Sequence, residues 1–455
     1  MTGLNLQDIT DLCGGVYHGT GAARVTEPNE IVIDSRKVRA GNLFAALPGE
    51  KVDGHAFVGK ALDAGAAACL VKYVPEGETR PCIVVDDVAK AMGQIAGAYR
   101  RKLSIPVIGI TGSVGKTTMK EMIACVLETK YRVLKTEKNF NNDLGVPMTV
   151  SRIQPDHRAA VIEMGISHFG EMEQLAEIVR PDAGVFTVIG HSHLEALHDR
   201  RGVLQAKTEM IPYMPEDGTL FFNGDDDLLA RYKCELVTVT FGTGEHCDVR
   251  AENISINGTG GTACDIVWAD RRFPVTIHAY GKHMVTAALG AAAVAMHFGM
   301  SDADIAAGIA NYQPVGGRAA VIDTGVITLI NDCYNANPDS MSAALESLSM
   351  LSGRKVAVLG DMYELGEHSA ELHREVGRKA ARCGVDALIT CGELGTDIAL
   401  GAEEVGTVPV THFSTREALL EGISASIQPG DNVLVKASHG LHLETVVEHL
   451  ETMKC

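Results

Sequence analysis

The apolar, β-branched run IPVIGI at residues 105–110 passes directly into TGSVGKTTMKEMIACVLETK, and this junction constrains the fold more than any other stretch. The first part reads as a buried strand and TTMKEMIACVLETK as a helix, with only a glycine-rich turn between them. Such a turn lets backbone amides approach phosphate oxygens, and the start of the following helix favours anions. The usual phosphate-binding pattern is Gly-x-x-x-x-Gly-Lys. Here five residues separate Gly109 from Gly115, so the compact unit is Gly112-Ser113-Val114-Gly115-Lys116-Thr117, followed by Thr118. In that unit Lys116 meets the β and γ phosphates and Thr117 offers its hydroxyl to Mg²⁺. The chain is therefore predicted to bind ATP.

The alternation of strand and helix continues through AAVIEMG, MEQLAEIVR and AGVFTVIG, a pattern that calls for a parallel sheet covered on both faces. A chain of 455 residues exceeds what one hydrophobic core serves, and its texture divides into three blocks. Residues 1–100 carry the strand-like EIVIDSR and NLFAAL with GKALDAGAAACLV as a small helix. Residues 101–314 hold the phosphate loop. Residues 315–455 follow the hinge glycines Gly316 and Gly317 of NYQPVGGR, with KVAVLGDM, DALITCG and NVLVKAS as buried strands between helices such as SMSAALESLSML and LHREVGRKAARC. The predicted fold class is α/β with three domains: a small N-terminal α/β domain, a central P-loop parallel-sheet ATPase domain and a C-terminal Rossmann-like domain. ISINGTGGTACDIVWADRRFPVTI reads as an antiparallel hairpin decorating the central domain.

A net charge of −18 repels phosphate backbones and anionic membranes, so nucleic acid is excluded as an expected partner and any bound anion must meet a local positive site. The eleven cysteines lie at 13, 69, 82, 125, 234, 247, 264, 333, 383, 391 and 455 without a Cys-x-x-Cys pair. They read as reduced, mostly buried thiols rather than a zinc site or a disulfide frame. The opening MTGLNLQDIT lacks a charged region followed by an apolar one, and TAALGAAAVAM is too short to span a bilayer. These features predict a cytoplasmic protein that is not integral to a membrane.

Mg²⁺ needs further oxygen ligands, and parallel sheets present them at strand ends. Glu163 closes the strand AAVIEMG at such an end, where a carboxylate serves equally as ligand or helix cap. His191 and His193 flank Ser192 in a turn, which by itself is weak evidence for a metal. Lys207 in RGVLQAKTEM reads from its residues alone as a solvated helix charge.

The stretches IDSRKVRAGNLFAALPGEKVDGHAF, GITGSVGKTTMKEMIACVL, KTEKNFNNDLGVPMTV, VIEMGISHFGEMEQLAEIVRPD, HLEALHDRRGVLQAKTEM, INDCYNANPDSMSAALESL and VAVLGDMYELGEHSAELHREVG resemble the Mur ligase family over essentially the whole chain. The compact Gly-x-x-Gly-Lys-Thr loop is that family's form. NDCYNANPDSM and LGDMYELGE point to its branch that adds D-alanyl-D-alanine to UDP-N-acetylmuramoyl-tripeptide in peptidoglycan precursor synthesis. The resemblance implies an ATP-dependent amide ligase. Phosphoryl transfer turns the acceptor's carboxylate into an acyl phosphate, which the amine of D-Ala-D-Ala attacks, and ADP and phosphate leave. It further implies that Thr117 and Glu163 hold one Mg²⁺, and that His193 holds a second together with a carbamylated Lys207. Lys116, Glu163, His193 and Lys207 form its catalytic group. Arg318, Asn331 and Asn335 match residues that reach ATP from the third domain. Ser35, Arg36, Asp53 and His55 fall in the uridine-nucleotide region, and Asn139 and Asn142 near the phosphates and muramyl end. Lys436 supplies a cation on the peptide side. The expected partners are these small-molecule substrates, with the enzyme acting as a monomer.

Two departures stand out. HMVTAALG leaves Ala287 where relatives carry an amide that recognises nucleotide, and VKASHGLHLE puts Ala437 and His439 where Gly and Arg are common. A sister amide ligase with a different acyl substrate or amine is the alternative. A regulatory P-loop switch is disfavoured because no Asn-Lys-x-Asp motif occurs.

Overall fold

The chain is described by a computed structural model covering residues 1–20, 23–49 and 52–453, so Cys455 lies outside the described residues. It forms three sheets, built in turn from residues 16–84, 107–277 and 320–436. In the first, five strands run in the spatial order Val16–His18, Cys82–Val84, Ala68–Val71, Leu43–Ala45, Ile31–Val32. Every neighbouring pair is parallel except that of Val16–His18 with Cys82–Val84. GKALDAGAAACLV is only half helix. The helix Val58–Asp63 stops before Gly65, whose φ of +94° ends the turn, and ACLV then forms the fully buried strand Ala68–Val71. A continuous apolar run at a parallel sheet's centre resembles a helix interior in composition, and the glycine decides between them.

The central sheet has nine strands. Val107–Thr111 sits between Ala159–Glu163 and Ala183–Phe186, parallel to both. The chain first builds outward on one side through Ala159–Glu163 and Val133–Lys135, then crosses to Ala183–Phe186, Thr219–Asn223 and Val237–Gly242. The phosphate loop therefore lies where strand order reverses, and helices that diverge there leave a crevice. The glycine-rich hairpin is present, as Val249–Ile256 and Thr262–Trp268 with Arg271–Ile277. Instead of decorating the domain it extends the sheet, because Val249–Ile256 pairs in parallel with Val237–Gly242.

The third sheet has six strands, in the order Ala320–Asp323, Thr328–Asn331, Asn432–Lys436, Lys355–Gly360, Ala387–Cys391, Val410–Phe413, and only the first pair is antiparallel. Strand alternation splits its two faces between cores. Ala357 and Leu359 of Lys355–Gly360 join the apolar cluster that also includes Leu43 and Ile108, while Val356 and Val358 pack in a separate cluster with Val433 and Val435. Among the described residues no helix is long and apolar enough to cross a membrane, and all the described cysteines are free thiols.

Candidate active site

The strand Val107–Thr111 ends at Gly112, and the helix Lys116–Glu128 begins at Gly115. Both glycines have positive φ, +148° and +82°. A Cβ on Gly112 would lie 1.9 Å from Thr187 Oγ1, so only glycine lets the loop tuck beneath the next strand's end. Thr187 Oγ1 donates to the Val114 carbonyl at 2.5 Å, and the Ser113 hydroxyl accepts from Gly190 N at 3.0 Å and from Ser192 Oγ at 2.9 Å. Lys116 Nζ folds back onto the Gly112 carbonyl at 2.8 Å. Burial pushes its ammonium below the ordinary lysine value; Glu163 opposes that shift and Arg318 adds to it.

Glu163 is the centre of the polar cluster. Its Oε2 accepts from Thr117 Oγ1 at 2.8 Å and its Oε1 from Asn141 Nδ2 at 2.8 Å, while its own N–H donates to Thr136 Oγ1 at 3.0 Å. Lys120, one helical turn beyond Lys116, is wholly buried. Its Nζ donates to the Thr136 carbonyl at 2.7 Å, pairs with Glu121 at 2.9 Å and stands 3.9 Å from Glu163 Oε2. A hydroxyl and a carboxylate oxygen side by side at a phosphate loop are hard oxygen donors of the kind Mg²⁺ takes.

His193 has a left-handed backbone, φ +55°, at the start of the short helix Leu194–Leu197. Its Nδ1 lies 2.5 Å from Glu364 Oε2 of the third unit, and that contact holds the Glu364 carboxyl below its ordinary value. His191 bridges to the third unit as well: its N–H donates to Asp339 Oδ2 at 2.6 Å and its ring nitrogen lies 3.2 Å from the same carboxylate. Burial pushes the Asp339 carboxyl up, yet the bonds from His191 prevail and hold it below its ordinary value. Lys207, in the last turn of the helix Arg200–Thr208, is 1% exposed rather than the solvated charge its residues suggest. No carboxylate pairs with it among the described residues; burial, with Lys116 nearby, drives its amine well below the ordinary value.

A cavity of about 890 Å³ runs from Lys116, Thr117 and Glu163 to the third unit. There Arg318 stacks on the Tyr334 ring at 3.6 Å, and His439 lies 6.0 Å from the same ring. Lys436 is buried, pairs with Asp332 Oδ2 at 2.7 Å and donates to the Asn335 carbonyl at 2.9 Å. Tyr280 and His283 also line the cavity, and Tyr280 Oη and His283 Nδ1 are buried without partners. Ala287 lines it too, presenting a methyl group where an amide was expected.

Asn139, Asn142, Arg318, Asn335 and Lys436 line this cavity, although Asn142 Oδ1 is engaged by Gly145 N at 2.9 Å. Asn331 does not: its Oδ1 accepts from Cys333 N at 3.2 Å and turns its own loop. The first unit's residues stand apart from it. Arg36 is 80% exposed and clasps Asp34, and Ser35 begins the short turn Ser35–Lys37. His55 is buried with both nitrogens used, Nδ1 on Asp53 at 2.6 Å and Nε2 on Lys72 N at 2.9 Å, and it stacks on Tyr73. Its geometry positions Asp53 and Tyr73 rather than offering a ring nitrogen to a ligand. Sequence reasoning passed over Asn141, Lys120, Asp339 and Glu364. Asn141 stood in the quoted KNFNNDLG run, and Lys120 could have been found as a charge at i+4 from Lys116 inside an apolar helix; for the other two, which depend on the third unit's placement, the sequence holds no local signal.

Models of known families match three successive stretches of the chain. The model of the Mur ligase middle domain matches residues 110–295, that of the Mur ligase glutamate ligase domain residues 317–439, and that of the Mur ligase family catalytic domain residues 28–100. A Bacillus subtilis (strain 168) protein named UDP-N-acetylmuramoyl-tripeptide--D-alanyl-D-alanine ligase is 41% identical over 427 residues, 92% of each chain. The crystal structure of MurF from Acinetobacter baumannii aligns with a TM-score of 0.89 at 31% identity over 99% of both chains. MurF ligase from Thermotoga maritima, in complex with ADP, aligns at 0.82 and 27% identity over 95% of this chain and 98% of that one. With the phosphate loop, the acid at the neighbouring strand end and three matched units in one order, the chain belongs to the Mur ligase family.

Proposed function

We propose that this chain joins the amine of D-alanyl-D-alanine to the terminal carboxylate of UDP-N-acetylmuramoyl-tripeptide, using ATP. The observation that carries the reading is the single cavity walled by the phosphate loop on one side and by Arg318, Asn335 and Lys436 on the other. A ligase must hold nucleotide, acyl donor and amine together away from water, and a cleft shared by two units does this when they close. The curated relatives, alike over nearly their full length, carry that substrate pair in their name.

In this reading the amides of Ser113 to Thr118 and the Lys116 ammonium bind the β and γ phosphates of ATP, and Arg318 on Tyr334 reaches the nucleotide from the third unit with Asn335. Two anions, carboxylate and γ phosphate, must approach before they react, so the cations Lys116 and Arg318 lower that repulsion. Transfer of the phosphoryl group to the carboxylate gives the acyl phosphate and ADP. The amine then attacks the acyl carbon, and phosphate leaves. Lys436 faces the peptide side. Asp53, kept in place by His55, lies with Ser35 and Arg36 in the uridine-nucleotide region, and Asn139 and Asn142 lie toward the muramyl end.

The residues present fit Mg²⁺: Thr117 and Glu163 place hydroxyl and carboxylate oxygens 2.8 Å apart. These would hold the metal, which when bound neutralises phosphate charge. His193 would hold a second ion together with Lys207, which fits that position only as a carbamate. A buried amine without a counterion is neutral enough to add carbon dioxide, releasing one proton and becoming an anionic oxygen donor.

The test is a matrix of UDP-muramyl peptides against D-amino dipeptides and single amino acids, read by product mass and phosphate release. Phosphate release that requires both UDP-muramyl-tripeptide and D-Ala-D-Ala, with a product heavier by one dipeptide, is the expected result. Extension by another amine alone moves the chain to a sister activity, and nucleotide hydrolysis without either substrate overturns the reading.

A further inference from the structure

The sequence shows no metal-binding cysteine spacing, yet the fold gathers three ligand types at the rim of the central sheet. Strand Thr219–Asn223 ends in the turn Gly224–Asp225, and the parallel neighbour Val237–Gly242 ends in the turn that carries His246 and Cys247. Parallel pairing brings these two turns together although some twenty residues of chain separate them. A carboxylate oxygen of Asp225, a ring nitrogen of His246 and Cys247 Sγ all lie within 4.8 Å of one another. Asp225 and His246 are exposed and Cys247 is buried, so a thiol with no route to solvent of its own sits beneath two accessible ligands.

The surrounding bonds prepare these groups in the way metal ligands are prepared. His246 Nε2 faces the Gly224 carbonyl at 2.8 Å; a carbonyl only accepts, so Nε2 carries the proton and Nδ1 keeps the lone pair. A ligating histidine commonly donates its other N–H to a backbone carbonyl in this manner. Asp225 is fixed by Thr243 N and Oγ1 on Oδ2 at 2.7 and 3.0 Å and by Gly244 N on Oδ1 at 2.9 Å, which leaves one lone pair on Oδ1 unused. Glycines floor the site: a Cβ on Gly242 would meet Asp225 Oδ1 at 2.7 Å and Cys247 Sγ at 2.8 Å.

We propose that Asp225, His246 and Cys247 form a binding site for one Zn²⁺ ion, distinct from the Mg²⁺ ligands at the phosphate loop. A thiolate, an imidazole and a carboxylate match the tetrahedral zinc set, with water as the fourth ligand, and a soft sulfur ligand disfavours Mg²⁺. Zinc ligand atoms stand roughly 3–4 Å apart, so the exposed Asp225 and His246 side chains need only a small inward shift. Binding replaces the thiol proton with the Zn–S bond and releases that proton to solvent. The ion would clasp the two turns. The adjacent Asp226 accepts from Ile189 N at 2.9 Å and thereby anchors the segment that leads to His191 and His193, which gives the clasp a mechanical route to the active-site loop.

The test uses the full chain, stripped with chelator and kept in excess Mg²⁺, titrated with Co²⁺ as a spectroscopic stand-in and with Zn²⁺ for thermal melts. One equivalent of Co²⁺ should produce a thiolate-to-cobalt charge-transfer band in the near ultraviolet, and Zn²⁺ should raise the melting temperature. In Cys247→Ser the band should vanish; in His246→Gln, an exposed change that spares the core, affinity should fall by about 100-fold or more, since even outer-shell partners are worth 10–100-fold. A wild-type titration without that band, or an unchanged band in both variants, overturns the site.

Discussion

Replacing Gly112 with Ala tests whether loop geometry, beyond the charge of Lys116, holds the nucleotide. At φ +148° an L-residue is strained, by about 1–3 kcal/mol. The new Cβ would also stand 1.9 Å from Thr187 Oγ1, where ordinary contact begins at 3.4 Å, so loop and threonine must part by about 1.5 Å. That movement breaks the 2.5 Å bond from Thr187 to the Val114 carbonyl, worth about 1 kcal/mol. The free loop relaxes away from the clash, and binding has to restore its shape, so the cost of roughly 2–4 kcal/mol appears in affinity. At about 1.4 kcal/mol per factor of ten, the Kd for ADP should rise by roughly thirtyfold to several hundredfold. Calorimetric titration with ADP measures this, with circular dichroism to verify folding. Adding Thr187→Ala removes the obstructing oxygen and should recover part of the loss, leaving the strain. A folded Gly112→Ala protein that binds ADP within about threefold of wild type, a difference under 1 kcal/mol, would refute the argument.

Three further outcomes follow from particular contacts. Lys120→Met keeps the volume but strips the Thr136 carbonyl and Glu121 of a buried ammonium; a loss of about 3 kcal/mol should shift the urea midpoint downward, and an unmoved midpoint contradicts the network. Lys207→Ala should leave ADP affinity near wild type while turnover collapses, with short carboxylic acids restoring part of it; full turnover at saturating ATP and Mg²⁺ removes Lys207 from the mechanism. His373 is buried, accepts from Met362 N at 2.9 Å through Nε2 and bonds the Ser369 carbonyl through Nδ1, and burial lowers its pKa. Because the unfolded chain takes up the proton first, its stabilising effect is complete above the ordinary histidine value and is lost as pH falls below it toward the lowered folded value. Melting curves at pH 7.5 and 5.5 should show a smaller acid loss in His373→Gln than in wild type, and equal losses would exclude the group.

The parts legible in the sequence were those whose cause is local. A β-branched strand, a Gly-Lys-Thr turn and a helix are contiguous, so the phosphate loop and the alternating architecture could be read directly. Glu163 was legible because a strand end is a local feature, whereas its partner Asn141 was hidden among neighbouring asparagines of the same run. Lys207 was misjudged from its residues, since the helix Arg200–Thr208 carries three charged or amide side chains besides it, Arg200, Arg201 and Gln205, and gives no strong apolar stripe. Only the tertiary fold buries it to 1% exposure. The bridges His191 to Asp339 and His193 to Glu364 span 148 and 171 positions, and no periodicity encodes such a contact. The hairpin was read correctly as a hairpin and wrongly as an ornament, because pairing with Val237–Gly242 depends on a sheet edge built elsewhere.

The chain as a whole is strongly acidic, yet its cavity sets two cations close together beside the phosphate loop. An excess of eighteen negative charges discourages extended polyanions from approaching any face. Inside the cleft Lys116, Arg318 and Lys436 stand among the carboxylates of Asp143, Glu163, Glu171, Asp332 and Asp339, so cations are gathered only locally, beside the phosphate loop. Arg318 adds to burial in lowering Lys116, and Lys116 adds to burial in lowering Lys207, while Glu163 is shared with Thr117, Asn141 and Lys120. Lys116 and Arg318, held this close in a partly dry space, repel one another. A compact polyphosphate that enters the cleft relieves that repulsion. Under the proposed function these two cations become binding energy for a nucleotide, and because the third unit contributes Arg318, the gain depends on that unit being seated.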